Sequence, residues 1–192
     1  MRNRGRRVEK IAWDGPHADT LAACSRFRAA GLWAFDTFNP NCGSRALDYL
    51  GRTAADACMF HEMKCRLADL DQQARTAAGQ GWRFACGPAK ITEKDGVSSG
   101  VAVAVLGHLG LAHPLKPFSP EADATRICVR WLGSLCRGGI HLINVYLRDA
   151  EGLSQANLDI LHSLAATISE LQGPWLIAGD FNLEPNLLRQ SG

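Results

Sequence analysis

Apolar residues along this chain fall into short runs broken by Gly, Pro, Ser and Asp, and their spacing changes part-way along. Leu21, Cys24 and Phe27 recur at helical spacing and predict a helix over Asp19–Ala30, stopped by Gly31. Leu32–Asn39, LWAFDTFN, predicts an aromatic-rich strand ended by Pro40. Ser44 is placed to cap a helix carrying Leu47, Leu50 and Ala54 on one face. Ala57–Glu62 predicts a second strand, and Leu67–Ala78 a second helix closed by Gly79 and Gly81. From there the pattern is strand-like: Trp82–Cys86, Val101–Leu106, Ile127–Leu132 and Ile140–Leu147 predict four strands. The polar stretch Gly87–Gly100 reads as a long binding loop. Ser154 opens the clearest helix, with Leu161, Leu164, Ala165, Ile168 and Leu171 along one side and Gly173–Pro174 as its stop. Trp175–Ala178 then predicts a buried strand that Gly179 breaks. The order β-α-β-α, a run of β, then α-β predicts one mixed α/β domain.

Composition changes this picture little. A chain of 192 residues, 46% hydrophobic and 21% charged, has room for one substantial core. The net charge of +2 is lopsided, because Arg2, Arg4, Arg6, Arg7 and Lys10 face only Glu9 in the first ten residues. Taking those five bases and one acid from the totals of 21 and 19 leaves 16 basic against 18 acidic groups. The basic character is therefore an arm, suited to an acidic partner such as nucleic acid. Seven scattered cysteines with no CxxC pair indicate a reducing compartment, cytoplasmic or nuclear, rather than a zinc knuckle or redox motif. The charged start lacks the apolar core of a secretory signal, and no apolar run is long enough for a membrane span. Nothing in the sequence calls for an obligate protein partner.

The candidate chemistry sits at strand ends, where α/β folds place it. In Pro174–Pro185, PWLIAGDFNLEP, Asp180 and Asn182 are two apart and project to one side, while Phe181 turns back to the core. Such a pair can orient a water and bond a phosphate oxygen, although Asp and Asn also make ordinary turns. Asn39 closes the first predicted strand, Glu62 the second, and Tyr146 ends the run Asn-Val-Tyr.

A strand ending in Glu, a glycine-led strand at Ser99–Val103, a strand ending Asn-Val-Tyr, a long helix, then GDFN resembles the endonuclease/exonuclease/phosphatase superfamily. That superfamily includes apurinic endonucleases, pancreatic-type deoxyribonuclease, retrotransposon-type endonuclease domains, sphingomyelinases and inositol-polyphosphate phosphatases. The resemblance covers roughly residues 32–185. It implies a four-layered α/β sandwich with mixed, largely antiparallel sheets over residues 32–192, with residues 1–31 as a basic tail and helix outside it. It also implies a Mg²⁺- or Mn²⁺-dependent phosphoesterase. By that resemblance Glu62 holds the metal with Asn39 beside it, Asp180 orients or deprotonates the attacking water, Asn182 binds the phosphate, and Tyr146 lies near the scissile group. The basic arm favours nucleic acid as substrate.

The sequence departs from the family at His61, where Gln is usual, at Pro40 after Asn39, and at Leu147–Arg148 after Tyr146. No Ser-Asp-His segment follows Asn182, so the family's late histidine and last strands are missing from the expected domain. The isolated chain is accordingly expected to be weakly active or inactive, and prone to self-association along an open strand edge. One rival is a binding module that has lost its catalysis. A second is a zinc metalloprotease, because HEMKC at 61–65 is one residue from HExxH and would bring His61 and Cys65 together if helical.

Overall fold

The computed structural model describes residues 29–93, 95–114 and 123–186. The basic arm and nearly all of the helix expected over Asp19–Ala30 lie outside the described residues. One sheet is built from β1 (Phe35–Phe38), β2 (Ala57–Phe60), β3 (Trp82–Cys86) and β6 (Ala102–Leu106), in the order β1-β2-β6-β3. A second contains β7 (Ile127–Leu132), β8 (Ile140–Tyr146) and β9 (Trp175–Asp180) in sequence order. β1 runs parallel to β2 and β8 parallel to β9, and the other pairings within these two sheets are antiparallel.

Alternation along the strands sorts their side chains into three cores. Ala57, Met59, Val103 and Val105 of the first sheet pack against Cys128, Leu142, Leu176 and Ala178 of the second. The opposite face of the first sheet, through Cys58, Phe60, Ala102 and Ala104, receives α1 (Gly43–Leu50) and α2 (Leu70–Gly79). The opposite face of the second sheet, through Ile143, Val145 and Ile177, receives Ile160 and Leu164 of α3 (Gln155–Glu170). The two sheets thus lie face to face, with helices against their outer faces. Near one end a polar residue crosses between them: fully buried Asn144 donates to Phe60 O at 2.8 Å and to Ala102 O at 2.9 Å.

Several expected boundaries shift. β1 is shorter than Leu32–Asn39, and Leu32 and Trp33 are exposed. α1 stops at Leu50, where the Gly51 N–H bonds to Leu47 O, so Ala54 is not helical, and Cys42 rather than Ser44 occupies the N-cap. Asp36 anchors that helix, accepting from Tyr49 Oη and Thr53 Oγ1, both at 2.7 Å. A 3-10 turn at Leu67–Asp69 leads into α2. The expected loop Gly87–Gly100 contains a short hairpin, β4 (Lys90–Ile91) with β5 (Val97–Ser98). Ser154 caps α3 as expected, accepting from the Asn157 N–H.

Gly179 does not break the last strand. It lies inside β9, paired with Val145, where a Cβ would stand 2.3 Å from Val145 O. Glycine is needed there because the neighbouring carbonyl fills the space. Among the described residues β9 has β8 on one side only, which leaves its other edge open, and its residues are partly exposed rather than buried.

Candidate active site

The expected strand Ala57–Glu62 ends at Phe60 because the chain then turns to pair elsewhere. Met63 N–H bonds to Gly100 O and Lys64 N–H to Ser99 O, while Ala89 N–H bonds to Cys65 O. Glu62 and Lys64 take left-handed conformations, with φ of 51° and 47°. This irregular segment is not a helix, so His61 and Cys65 do not share a helical face, and the metalloprotease reading falls with the context it needs.

The turn aims Glu62 at the end of the second sheet. Its Oε1 accepts from Tyr146 Oη at 2.5 Å and its Oε2 from Asn39 Nδ2 at 3.4 Å, with Lys64 Nζ at 3.8 Å from Oε2. Asn39 follows β1, and its own oxygen accepts the Asn41 N–H at 3.0 Å. In this arrangement the Asn39 amide donates to Glu62 and does not offer an oxygen beside it. Tyr146 closes β8 in register with Asp180, which closes β9. Leu176 and Ala178 face the space between the sheets, so alternation puts Asp180 on that same side, next to Tyr146. Burial raises the Tyr146 hydroxyl well above its ordinary range, helped first by its bond to Glu62 and by the charges of Glu62 and Asp180.

Asn182 follows in a left-handed conformation, φ 47°. Its N–H bonds to Asp180 Oδ1 at 3.3 Å and its Nδ2 donates to Leu147 O at 2.8 Å. Its amide donor is thus engaged in holding the turn that presents Asp180. Phe181 packs toward α3, as expected. Asn39, Glu62, Tyr146, Asp180 and Asn182 therefore gather at one end of the paired sheets.

Three further residues join them. Arg126, in the turn before β7, lays its guanidinium over the Tyr146 ring with Cζ 4.7 Å from the centroid. Asn144 ties the two sheets beneath the site. His61, only 3% exposed, has its ring 6.4 Å from that of Tyr146. Among the described residues His61 Nε2 and Asn144 Oδ1 have no aligned hydrogen-bond partner. Asn144 could have been found from the sequence by applying the i, i+2 rule backwards from Tyr146. Arg126 carries no comparable signal, standing between a long irregular stretch and a strand.

Burial pushes the His61 imidazole below its ordinary range, against the charge of Asp180, the Asn144 carboxamide and the charge of Glu62, which all favour the protonated form. The unfolded chain therefore takes up the proton first, near pH 6.5, and stability is lost as the pH falls below that value. In chelator, urea unfolding at pH 7.5 and 5.5 should show His61→Gln losing less stability than the parent, by up to about 1.4 kcal/mol per pH unit. Identical pH dependence in the two proteins would remove His61 as the source.

No three His, Cys, Asp or Glu side chains converge to hold a metal ion among the described residues. A dication could still take Glu62 Oε2, whose neighbours stand at 3.4 and 3.8 Å, since Mg²⁺ often binds one carboxylate plus waters and substrate oxygens. A cavity of about 340 Å³ lined by Leu32, Trp33, Asp56 and His108 opens at the opposite end of β2 and takes no part in the site. No described helix is long and apolar enough to cross a membrane.

No protein-family model matches the chain, and no curated protein matches it in sequence. Among solved structures it superposes on the AP endonuclease LMAP of Leishmania major with a TM-score of 0.57, at 16% identity and over 92% of this chain. The chain shares its fold with that endonuclease. It spans 63% of the endonuclease's length. Looser matches are ANGEL2, a 2′,3′-cyclic phosphatase (TM-score 0.49, 19% identity, 76% of this chain and 43% of that one), and a truncated TDP2 of Caenorhabditis elegans (0.46, 11%, 81% and 64%). The shared fold agrees with the sequence resemblance at the level of mixed, largely antiparallel sheets with interspersed helices.

Proposed function

We propose that the residues from about 32 onward form a four-layered endonuclease/exonuclease/phosphatase domain that hydrolyses phosphodiesters with Mg²⁺ or Mn²⁺. The observation that carries the reading is the Glu62–Tyr146 hydrogen bond with Asp180 on the adjoining strand end, which joins a metal carboxylate and a water-orienting carboxylate across two sheets.

Glu62 is the residue that holds the cation, and Asn39 and Tyr146 fix its carboxylate from either side. The bound cation supplies charge neutralisation at the phosphoryl oxygens. Asp180 accepts the proton of the attacking water, and Asn182 holds Asp180 by the bond from its N–H. Phosphoryl transfer asks chiefly for positioning and charge stabilisation, which a rigid constellation on strand ends provides. The AP endonuclease likeness and the basic arm favour nucleic acid as substrate, and a cytoplasmic or nuclear setting goes with it.

The test is calorimetric titration of Mn²⁺ into parent and Glu62→Gln, paired with a nuclease assay. The variant should bind at least tenfold more weakly, because a neutral amide is a poorer ligand for a hard dication. Equal titration heats would refute the role of Glu62. Because no three-ligand cluster forms among the described residues, a binding module is the second reading, and Mn²⁺ binding without any turnover would favour it.

A further inference from the structure

Two arginines at this end of the fold each have a buried guanidinium nitrogen with no hydrogen-bond partner. Arg126 is 8% exposed, and its Nη1 is buried without a hydrogen-bond partner. The nearby carboxylate of Asp123 is spent on its own turn, accepting from Thr125 N at 2.9 Å and Thr125 Oγ1 at 2.6 Å. Arg148, two residues past Tyr146, has a buried Nε that is likewise unpartnered. Its other end touches Glu151 at 3.5 Å, a half-exposed pair. The two arginines flank one residue: the Tyr146 N–H bonds to Arg126 O at 2.9 Å, and Arg148 stands two residues past Tyr146 in the chain.

Both are held in place. The Tyr146 ring supports Arg126 from one side. Fully buried Asn157 clamps Arg148, accepting from its N–H at 2.8 Å and donating to its carbonyl at 3.1 Å. A guanidinium nitrogen buried without an acceptor is costly, and the guanidinium fork suits phosphate oxygens. Arg148 belongs to the Leu147–Arg148 pair at which the sequence departs from the family.

We propose that Arg126 and Arg148 together seat a phosphate group of the substrate against the Tyr146 edge of the site. The seat rests on the phosphodiesterase reading for its substrate, but its binding can be measured without catalysis. Inorganic phosphate is titrated into the full chain in EDTA at low salt, followed by calorimetry. Arg126→Gln and Arg148→Gln should each weaken binding at least tenfold, with Arg148→Lys retaining part of it. Arg83→Gln, an exposed arginine on β3, should bind as the parent does. Should Arg126→Gln fail to fold by circular dichroism, Arg148→Gln decides the matter, since its side chain is a third exposed. A parent that binds no phosphate, or binding that Arg148→Gln leaves intact, overturns the seat. Phosphate binding in a chain whose Mn²⁺ titration heats are unchanged by Glu62→Gln would sink the metal-dependent phosphodiesterase reading and leave the seat standing.

Discussion

Asp180→Asn should cut whatever metal-dependent phosphodiester hydrolysis the chain supports by about 10²–10⁴-fold, while leaving thermal unfolding close to that of the parent. Asparagine fills the same volume and can still accept the Asn182 N–H that now bonds to Asp180 Oδ1 at 3.3 Å. The turn should therefore survive. What is lost is a group able to take a proton from water, and with it one of the two negative charges acting on Tyr146 and His61. The readout is a nuclease assay in Mn²⁺ beside a melting curve. Hydrolysis unchanged in the variant would mean that another base acts, or that the turnover belongs to a contaminant.

Gly179→Ala acts on the same aspartate by another route and should damage fold and site together. Its methyl would lie 2.3 Å from Val145 O and 3.2 Å from Val145 Cβ. A backbone oxygen within a paired strand cannot swing aside as a flexible side chain can, so β9 must move off β8. Overpacking of this kind costs about 1–3 kcal/mol, sometimes more, which for a domain this size lowers the melting point by roughly 2–12 °C. Asp180 moves with the strand, so Mn²⁺-dependent activity should fall too. Gly79→Ala is the control: it lies at the end of α2 with nothing within 4 Å of a new Cβ, and should be neutral or slightly stabilising. A Gly179→Ala protein that melts with the parent would mean the β8–β9 pairing is looser than described.

The same glycine shows where sequence reading runs out. A break was read at Gly179 because glycine interrupts an apolar run, yet the residue is there to let a carbonyl of β8 come close. That partner is 34 residues away in sequence, and local pattern carries no trace of it. The run Ala57–Glu62 suggests a strand ending at Glu62 because a polar residue closes it, whereas the strand stops at Phe60 and residues 63 and 64 bond with Gly100 and Ser99. What was legible was short-range: the alternation that turns Phe181 back to the core, the Ser154 cap, and the faces of α3. Arg126 leaves no such signal, because a polar residue that is buried in tertiary structure looks, in sequence, like any other interruption.

Asn144 bridging the sheets has a consequence in time rather than in space. The first sheet is complete once Leu106 has been made, but the strand that carries Asp180 ends 74 residues later. At about 5–20 residues per second, synthesis leaves an interval of roughly 4–15 s. For the first part of it, until β7 and β8 follow, the face formed by Ala57, Met59, Val103 and Val105 has no opposing strand, and the carbonyls of Phe60 and Ala102 wait for the amide of Asn144 that will tie them. The nascent chain thus displays its inner core to the cell before it can assemble a site, and its yield depends on what shields that face until β8 and β9 emerge.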